Sequence, residues 1–371
     1  LEAIVAEARS QLSGTAQADP YAVIDQCVLD DMAATDTPGA SIAIAVDGVI
    51  THTRGYGVKH KENGGEIGPD TLFRIGSTTK MMTAAALLTL VDSGEVDLDE
   101  PITTYLPELV LAAPWNAAAI TPRHLLTHSA GLPDSYLAFD EAAMDRQTLE
   151  LWAYEVLPYT GLNNPPGAFW NYSNPNFSLA GLVVQEQSGQ LVVDYTEDAV
   201  WVPAGMPLTT FRSEDVVAHG DFAYGHYGSD RLTPDRWSMR ALAPAGTAFS
   251  TPTELVTWAL VLMEDGGGIL SPESAAAMQA RQISQGYYEG ADYGFGVFVT
   301  DYRDLDDPSR TVTVYDHGGN VPGWSSQLFW VPERGIALSI LANTMTSLNA
   351  SAYCALRELA AVVPKDPGDQ T

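Results

Sequence analysis

Ser77 and Lys80 stand three residues apart in Gly76-Ser77-Thr78-Thr79-Lys80, directly ahead of the apolar run Met81 to Val91. On a helix that spacing puts both side chains on one face, where a hydroxyl and an amine can meet. The chemistry open to them is acyl transfer. A serine hydroxyl becomes a good nucleophile only when a nearby base takes its proton. Lysine is such a base only where burial or a neighbouring charge lowers its pKa. The pattern is short and recurs by chance. A helix start with Ser77 as cap and Lys80 in solvent accounts for it equally well.

Two further segments offer matching groups. Tyr172-Ser173-Asn174 lies within Asn163 to Asn176, a loop-like run rich in Pro, Gly, Asn and aromatics. A phenol and an amide two residues apart can share one cleft if that run is irregular. His317-Gly318-Gly319-Asn320 follows a strand-like run, Thr311 to Tyr315. It precedes Val321-Pro322-Gly323-Trp324-Ser325-Ser326 and a second strand-like run, Gln327 to Val331. Paired glycines let backbone approach a ligand closely, as an oxyanion hole requires, and they also suit a hairpin turn. Tyr172 can equally be a core aromatic. Each segment has a structural explanation alone; the three in this order point to a catalytic cleft.

The succession S-x-x-K, Y-x-N, H-x-G resembles the serine β-lactamase and penicillin-binding-protein superfamily. The resemblance runs from about residue 20 to about residue 360 and is strongest to the class C β-lactamase-like branch. It extends to Phe73-Arg74-Ile75-Gly76, to Ile120 through Asp134, and to Pro244-Ala245-Gly246-Thr247-Ala248-Phe249-Ser250-Thr251. That branch holds class C β-lactamases, D-alanyl-D-alanine carboxypeptidases, D-aminopeptidases and related amidases, esterases and some acyltransferases. The resemblance implies an α+β sandwich: an antiparallel sheet flanked by N- and C-terminal helices, with an inserted all-helical lobe. The expected division is residues 1–80 with 239–363 as an α/β lobe, 81–238 as the helical lobe, and 364–371 as a flexible tail. It also implies that Cys27 and Cys354 form a disulfide, because the first and last helices of that fold pack side by side.

By the same resemblance, Ser77 forms an acyl-enzyme. Lys80 and Tyr172 share the proton work, and which of them takes the serine proton stays open. Asn174 holds Lys80 and a substrate amide. The backbone N–H groups of Ser77 and Asn320 form the oxyanion hole. His317 stands where true class C β-lactamases carry a lysine. Histidine is mostly neutral near pH 7, so capture of a substrate carboxylate is weak here. Asn343-Thr344-Met345-Thr346 supplies no cation either. The leading expectation is a peptidase or amidase acting on small peptides or amides, D-configured ones included. A carboxylesterase, a β-lactamase and a penicillin-binding or sensing protein without turnover are the alternatives. Trp170 and Trp324, next to the motifs, are expected to face the cleft.

The elements that must carry these groups are partly legible. Ser41 to Val46 and Val49 to Tyr56 read as strands joined at Asp47-Gly48. Helical patterns cover Tyr21 to Ala34, Met81 to Asp92, Phe177 to Gln187 and Asn349 to Val362. Strands return at Gly294 to Thr300, Thr311 to Tyr315, Gln327 to Val331 and Ile336 to Ala342. Of 371 residues, 18 are Lys or Arg and 47 are Asp or Glu, a formal charge of -29, which repels phosphate backbones and argues against a nucleic-acid partner. No run approaches the ~18 apolar residues of a membrane span. The partner expected is a small-molecule or short-peptide substrate, with oligomeric state open. No cofactor and no metal are expected: His124 and His128 are four apart, but no glutamate follows His124. Asn171, Asn176 and Asn349 head N-x-S sequons, the first two straddling Tyr172. A secreted or periplasmic bacterial protein is expected. No signal peptide is visible at Leu1, as when one has been removed or the numbering begins at the mature chain.

Overall fold

The chain was described from a computed structural model covering residues 19–134, 148–236 and 240–364. Of the expected tail, 364–371, Pro364 is instead the end of a strand that pairs with Tyr302; its other residues and the expected boundary between residues 238 and 239 lie outside the described residues. Ten strands form one antiparallel sheet. They are β1 (Gly39–Val46), β2 (Val49–His60), β3 (Gly64–Glu66), β4 (Ile283–Ser284), β5 (Ala291–Tyr293), β6 (Phe298–Asp304), β7 (Thr311–Val321), β8 (Trp324–Val331), β9 (Ile336–Ala342) and β10 (Val362–Pro364). The order across the sheet is β3-β2-β1-β9-β8-β7-β6-β5-β4, with β10 also pairing β6. The β1–β2 turn is tight because Asp47 and Gly48 both take left-handed φ, 49° and 80°.

Side-chain alternation assigns each face of the sheet. Ala40, Ile42 and Ile44 of β1 face one core with Phe329 and Val331 of β8 and Leu338 and Ile340 of β9. Two terminal helices cover that face, α1 (Pro20–Thr35) and α5 (Asn349–Ala360). Ala43, Ala45, Leu328, Trp330 and Leu341 face the other core. There lie α2 (Thr79–Asp92), α3 (Asn174–Ser188) and α4 (Pro252–Met263). Helix α2 is buried on every side from Thr79 to Leu88, so it is the central post of this layer rather than an amphipathic surface helix.

Three local readings of the sequence are corrected. Strand β7 does not end at Tyr315; it runs through His317-Gly318-Gly319-Asn320 to Val321, so the glycine pair is strand and the hairpin turn falls at Pro322-Gly323. The strand expected over Gly294 to Thr300 begins only at Phe298, in β6; Gly294 to Val297 form the bend that joins it to β5, which ends at Tyr293. Gly296 has φ 74°, and a Cβ there would sit 3.1 Å from the Lys80 carbonyl oxygen. The inserted region is not wholly helical, since Gly225–Tyr227 pairs with Asp230–Leu232.

Cys27 of α1 and Cys354 of α5 are joined by a disulfide with Cα atoms 6.5 Å apart, closing a sequence separation of 327 residues. Cross-linking so distant a pair restricts the unfolded chain strongly. Replacing both cysteines by serine is expected to cost about 2–5 kcal/mol. A lower midpoint in thermal unfolding, reproduced by reductant on the parent protein, checks this; identical midpoints contradict it. No helix among the described residues is long and apolar enough to cross a membrane. Among the same residues no cluster of His, Cys, Asp and Glu could hold a metal ion.

Candidate active site

Ser77 sits in a 3-10 turn, Gly76–Thr78, that leads directly into α2. Strands β7 and β8 hold this turn from below. Ser326 Oγ donates to the Ile75 carbonyl at 2.6 Å, and Thr78 Oγ1 donates to the His317 carbonyl at 3.2 Å. The contact is possible only because two residues lack side chains. A Cβ on Gly319 would lie 1.9 Å from the Ile75 carbonyl oxygen and 2.8 Å from the Ser77 nitrogen. A Cβ on Gly76, which has φ 51°, would lie 2.9 Å from the Asn320 nitrogen. The backbone nitrogens of Ser77 and Asn320 are thereby neighbours.

Lys80, one turn into the helix, is fully buried. Its Nζ reaches three acceptors: Ser77 Oγ at 3.0 Å, Asn174 Oδ1 at 2.7 Å and the Ala245 carbonyl at 2.7 Å. Burial pushes its pKa down to about 7, opposed by the charge of Asp134. Two of the three partners can only accept. A neutral amine therefore spends both N–H groups on Asn174 and Ala245, and its lone pair is left facing the Ser77 hydroxyl. Asn174 is fixed in that orientation by Asp134, whose Oδ1 accepts from the Asn174 backbone at 2.9 Å and from its Nδ2 at 3.1 Å.

Tyr172 stands in irregular chain two residues before α3 and lines the cavity beside Ser77. Lys80 Nζ lies 4.9 Å from its ring centroid. Burial raises the phenol pKa well above the usual tyrosine value, and the nearby Ser77 hydroxyl only partly offsets this. The ring rests on His128 at 4.2 Å between centroids. His128 is buried, and its Nδ1 accepts from the Ser173 backbone at 3.2 Å.

His317 projects from β7 toward the same cluster. Its Nδ1 lies 2.7 Å from the Gly318 carbonyl, so that nitrogen carries the hydrogen, and Nε2 accepts from the Tyr293 hydroxyl at 3.1 Å. Burial, with the Lys80 charge second, pushes its pKa down to about 3, so it is neutral throughout the working range. Gly318 and Asn320 line the cavity over Ser77, as do Tyr172 and His317, and no arginine or lysine is among the described residues lining it. Past Asp316 the free edge of β7 has no strand partner among the described residues, because β6 begins at Phe298 opposite Asp316.

Trp170 and Trp324 part company. Trp170 is half-buried beside the cluster, its ring 6.1 Å from those of Tyr172 and Tyr293. Trp324 does not face the cleft: it is fully buried, donates Nε1 to the Ala223 carbonyl at 3.0 Å, and packs on Gly225. At the first position of β8 its parity turns it into the core. Asn176 is fully buried against His128, so this sequon is a packing residue and no glycan fits there. Sequence reasoning did not single out Asp134, Ala245, His128 or Tyr293 as site residues. Asp134 lies in a motif-bearing stretch, but Ala245 contributes only a carbonyl, for which side-chain spacing carries no signal.

The sequence matches the beta-lactamase family over residues 24–362. The chain belongs to the beta-lactamase family. It is thus a member of a serine-hydrolase superfamily that includes amidases, esterases and penicillin-binding proteins. This beta-lactamase-family chain is 30% identical to the esterase EstB of Burkholderia gladioli over 345 residues, covering 83% of itself and 86% of that protein. It is 28% identical to the unguisins hydrolase ungD' of Aspergillus campestris over 84% of its own length, and it spans 59% of that longer protein. Among solved structures, the D-amino acid amidase from Ochrobactrum anthropi superposes with TM-score 0.76 at 25% identity, over 92% of this chain and 99% of that one.

Proposed function

We propose that the protein is a serine amidase or peptidase acting on small peptides or amides, D-configured ones included, through an acyl-enzyme on Ser77. The observation that carries the reading is the buried Lys80 amine 3.0 Å from Ser77 Oγ, with its other two contacts on pure acceptors. Ser77 Oγ attacks the substrate carbonyl as Lys80 takes its proton. The carbonyl oxygen becomes an anion between the N–H groups of Ser77 and Asn320. Collapse expels the amine, which receives a proton through Tyr172 or Lys80, and leaves the Ser77 ester. Water then attacks that ester, gives its proton to the same pair, and the acid departs as Ser77 recovers its hydrogen.

Between the two bases, Lys80 is favoured. Burial lowers its pKa to about 7, whereas burial raises that of Tyr172, so near neutral pH the amine is available and the phenol holds its proton. The active form is the deprotonated one, so kcat/KM is expected to rise with pH through about 7 and then level off. A rate flat between pH 5.5 and 9 contradicts Lys80 as the base.

The amidase choice over β-lactam turnover rests on the neutral His317 and on a cavity whose described lining has no cation to hold a substrate carboxylate. The amidase superposition supports it; the 30% identity to an esterase supports ester hydrolysis as the second reading. Comparing kcat/KM for a D-aminoacyl amide, a short-chain ester and a cephalosporin ranks them. Turnover of the ester alone overturns the amidase reading. The disulfide supports an oxidising location, periplasmic or secreted.

A further inference from the structure

The cavity above Ser77 does not stop at the catalytic groups. It has a volume of about 480 Å3 and runs along β7 past Gly318 to Asp316, between the sheet and the N-terminal end of α5. Gly318 lacks a side chain, so no β7 side chain stands between Asn320 and Asp316 on that face; the end of the Gln327 side chain from β8 borders the path. The Asp316 carboxylate has no hydrogen-bond or ion-pair partner among the described residues. Its charge acts on the phenols of Tyr288, Tyr302 and Tyr353 around it. The rings of Tyr302 and Phe329 each lie 6.5 Å from that of Tyr353, and all three line the cavity together with Asp316.

Asp316 is partly exposed to the cavity and unpartnered, so its carboxylate is open to a counter-charge from a ligand, and partial burial pushes it up to about 7. Aromatic faces beside a carboxylate are the surroundings that bind an ammonium. The net charge of -29 draws cations toward the protein as a whole. Position fixes how far that cation must be from the reacting carbonyl. Three residues of strand, about 10 Å, separate Asp316 from Gly319, which lies against Ser77; the odd spacing turns Asp316 to the α5 face, so the path from Ser77 passes around the free edge of β7. An α-amine, two bonds from the scissile carbonyl, cannot bridge it.

We propose that the Asp316 pocket is a substrate subsite for a positively charged group, carried about two residues of extended chain from the scissile carbonyl. A lysine-length basic arm or the amino terminus of an adjoining residue meets this requirement. The inference rests on the acyl-enzyme reading of Ser77 and adds the substrate class to it.

The test compares the 4-nitrophenyl esters of 6-aminohexanoate and heptanoate, which differ by an ammonium in place of a methyl. The parent protein is expected to favour the amino ester in kcat/KM by about 10–100-fold, the worth of a hydrogen bond to a charged group. In Asp316→Asn that ratio is expected to fall to near one. A parent protein indifferent to the charge, or an Asp316→Asn ratio equal to the parent's, overturns the proposal. If Asp316→Asn does not fold, as judged by its thermal midpoint, Tyr353→Leu is measured in its place. A reduced ratio then supports the subsite and an unchanged ratio overturns it. Failure of the underlying reading looks different: Ser77→Ala would hydrolyse both esters at the parent rate, whatever their ratio.

Discussion

Ser77→Ala is expected to lower kcat/KM on any substrate by about a million-fold, and Lys80→Met by nearly as much, with the double variant no worse than either. The non-additivity follows from the geometry. One change removes the attacking oxygen and the other removes the lone pair aimed at it, 3.0 Å away. Each alone disables the same step. Methionine fills the volume of the lysine stem, so the fold survives, although Asn174 Oδ1 and the Ala245 carbonyl lose their donor. A buried acceptor left without a partner costs about 1–3 kcal/mol, which thermal unfolding would register beside the kinetics. Burst kinetics with an activated ester and mass spectrometry of the trapped acyl group check the prediction. A Ser77→Ala protein that still acylates removes its basis.

Gly319→Ala carries the second large effect. The new methyl would stand 1.9 Å from the Ile75 carbonyl oxygen, a backbone atom that cannot swing aside. Strand β7 must back away from the Ser77 turn, and the amides of Ser77 and Asn320 then no longer face one oxygen. Loss of one such donor costs about a hundred- to a thousand-fold in kcat. Overpacking adds about 1–3 kcal/mol of destabilisation. Gly318→Ala is the control, since its methyl would meet only the end of the Gln327 side chain, at 2.9 Å. The loss in kcat is expected to be far smaller at Gly318 than at Gly319. Equal losses at the two positions contradict the account.

The same residues explain what was legible in the chain. The Ser77–Lys80 spacing could be read because helical period is local, and three residues suffice to predict a shared face. The β1–β2 hairpin was readable for the same reason, through Asp47-Gly48. The course of β7 was not. Two adjacent glycines signal a turn when considered alone, and only the approach of the Ile75 carbonyl, 244 residues earlier in the chain, explains why they stand within a strand. Trp324 was misplaced because adjacency to a motif says nothing about parity; as the first residue of β8 it points into the core. Asp134 and Tyr293 act through partners 40 and 24 residues distant, a distance that no local pattern encodes.

The central sheet is stitched between the two ends of the sequence: Ala40 to Val46 of β1 lie between Val49 to Tyr56 and the partners Ile336 to Ala342. Ladders across nearly 300 residues form slowly, since the intervening loop must be closed before any contact rewards it. The β1–β2 hairpin can form from local contacts, but its docking against β9 waits on that closure. Until then the hairpin leaves open the edge of β1 that pairs with β9, the kind of edge through which partly folded chains associate.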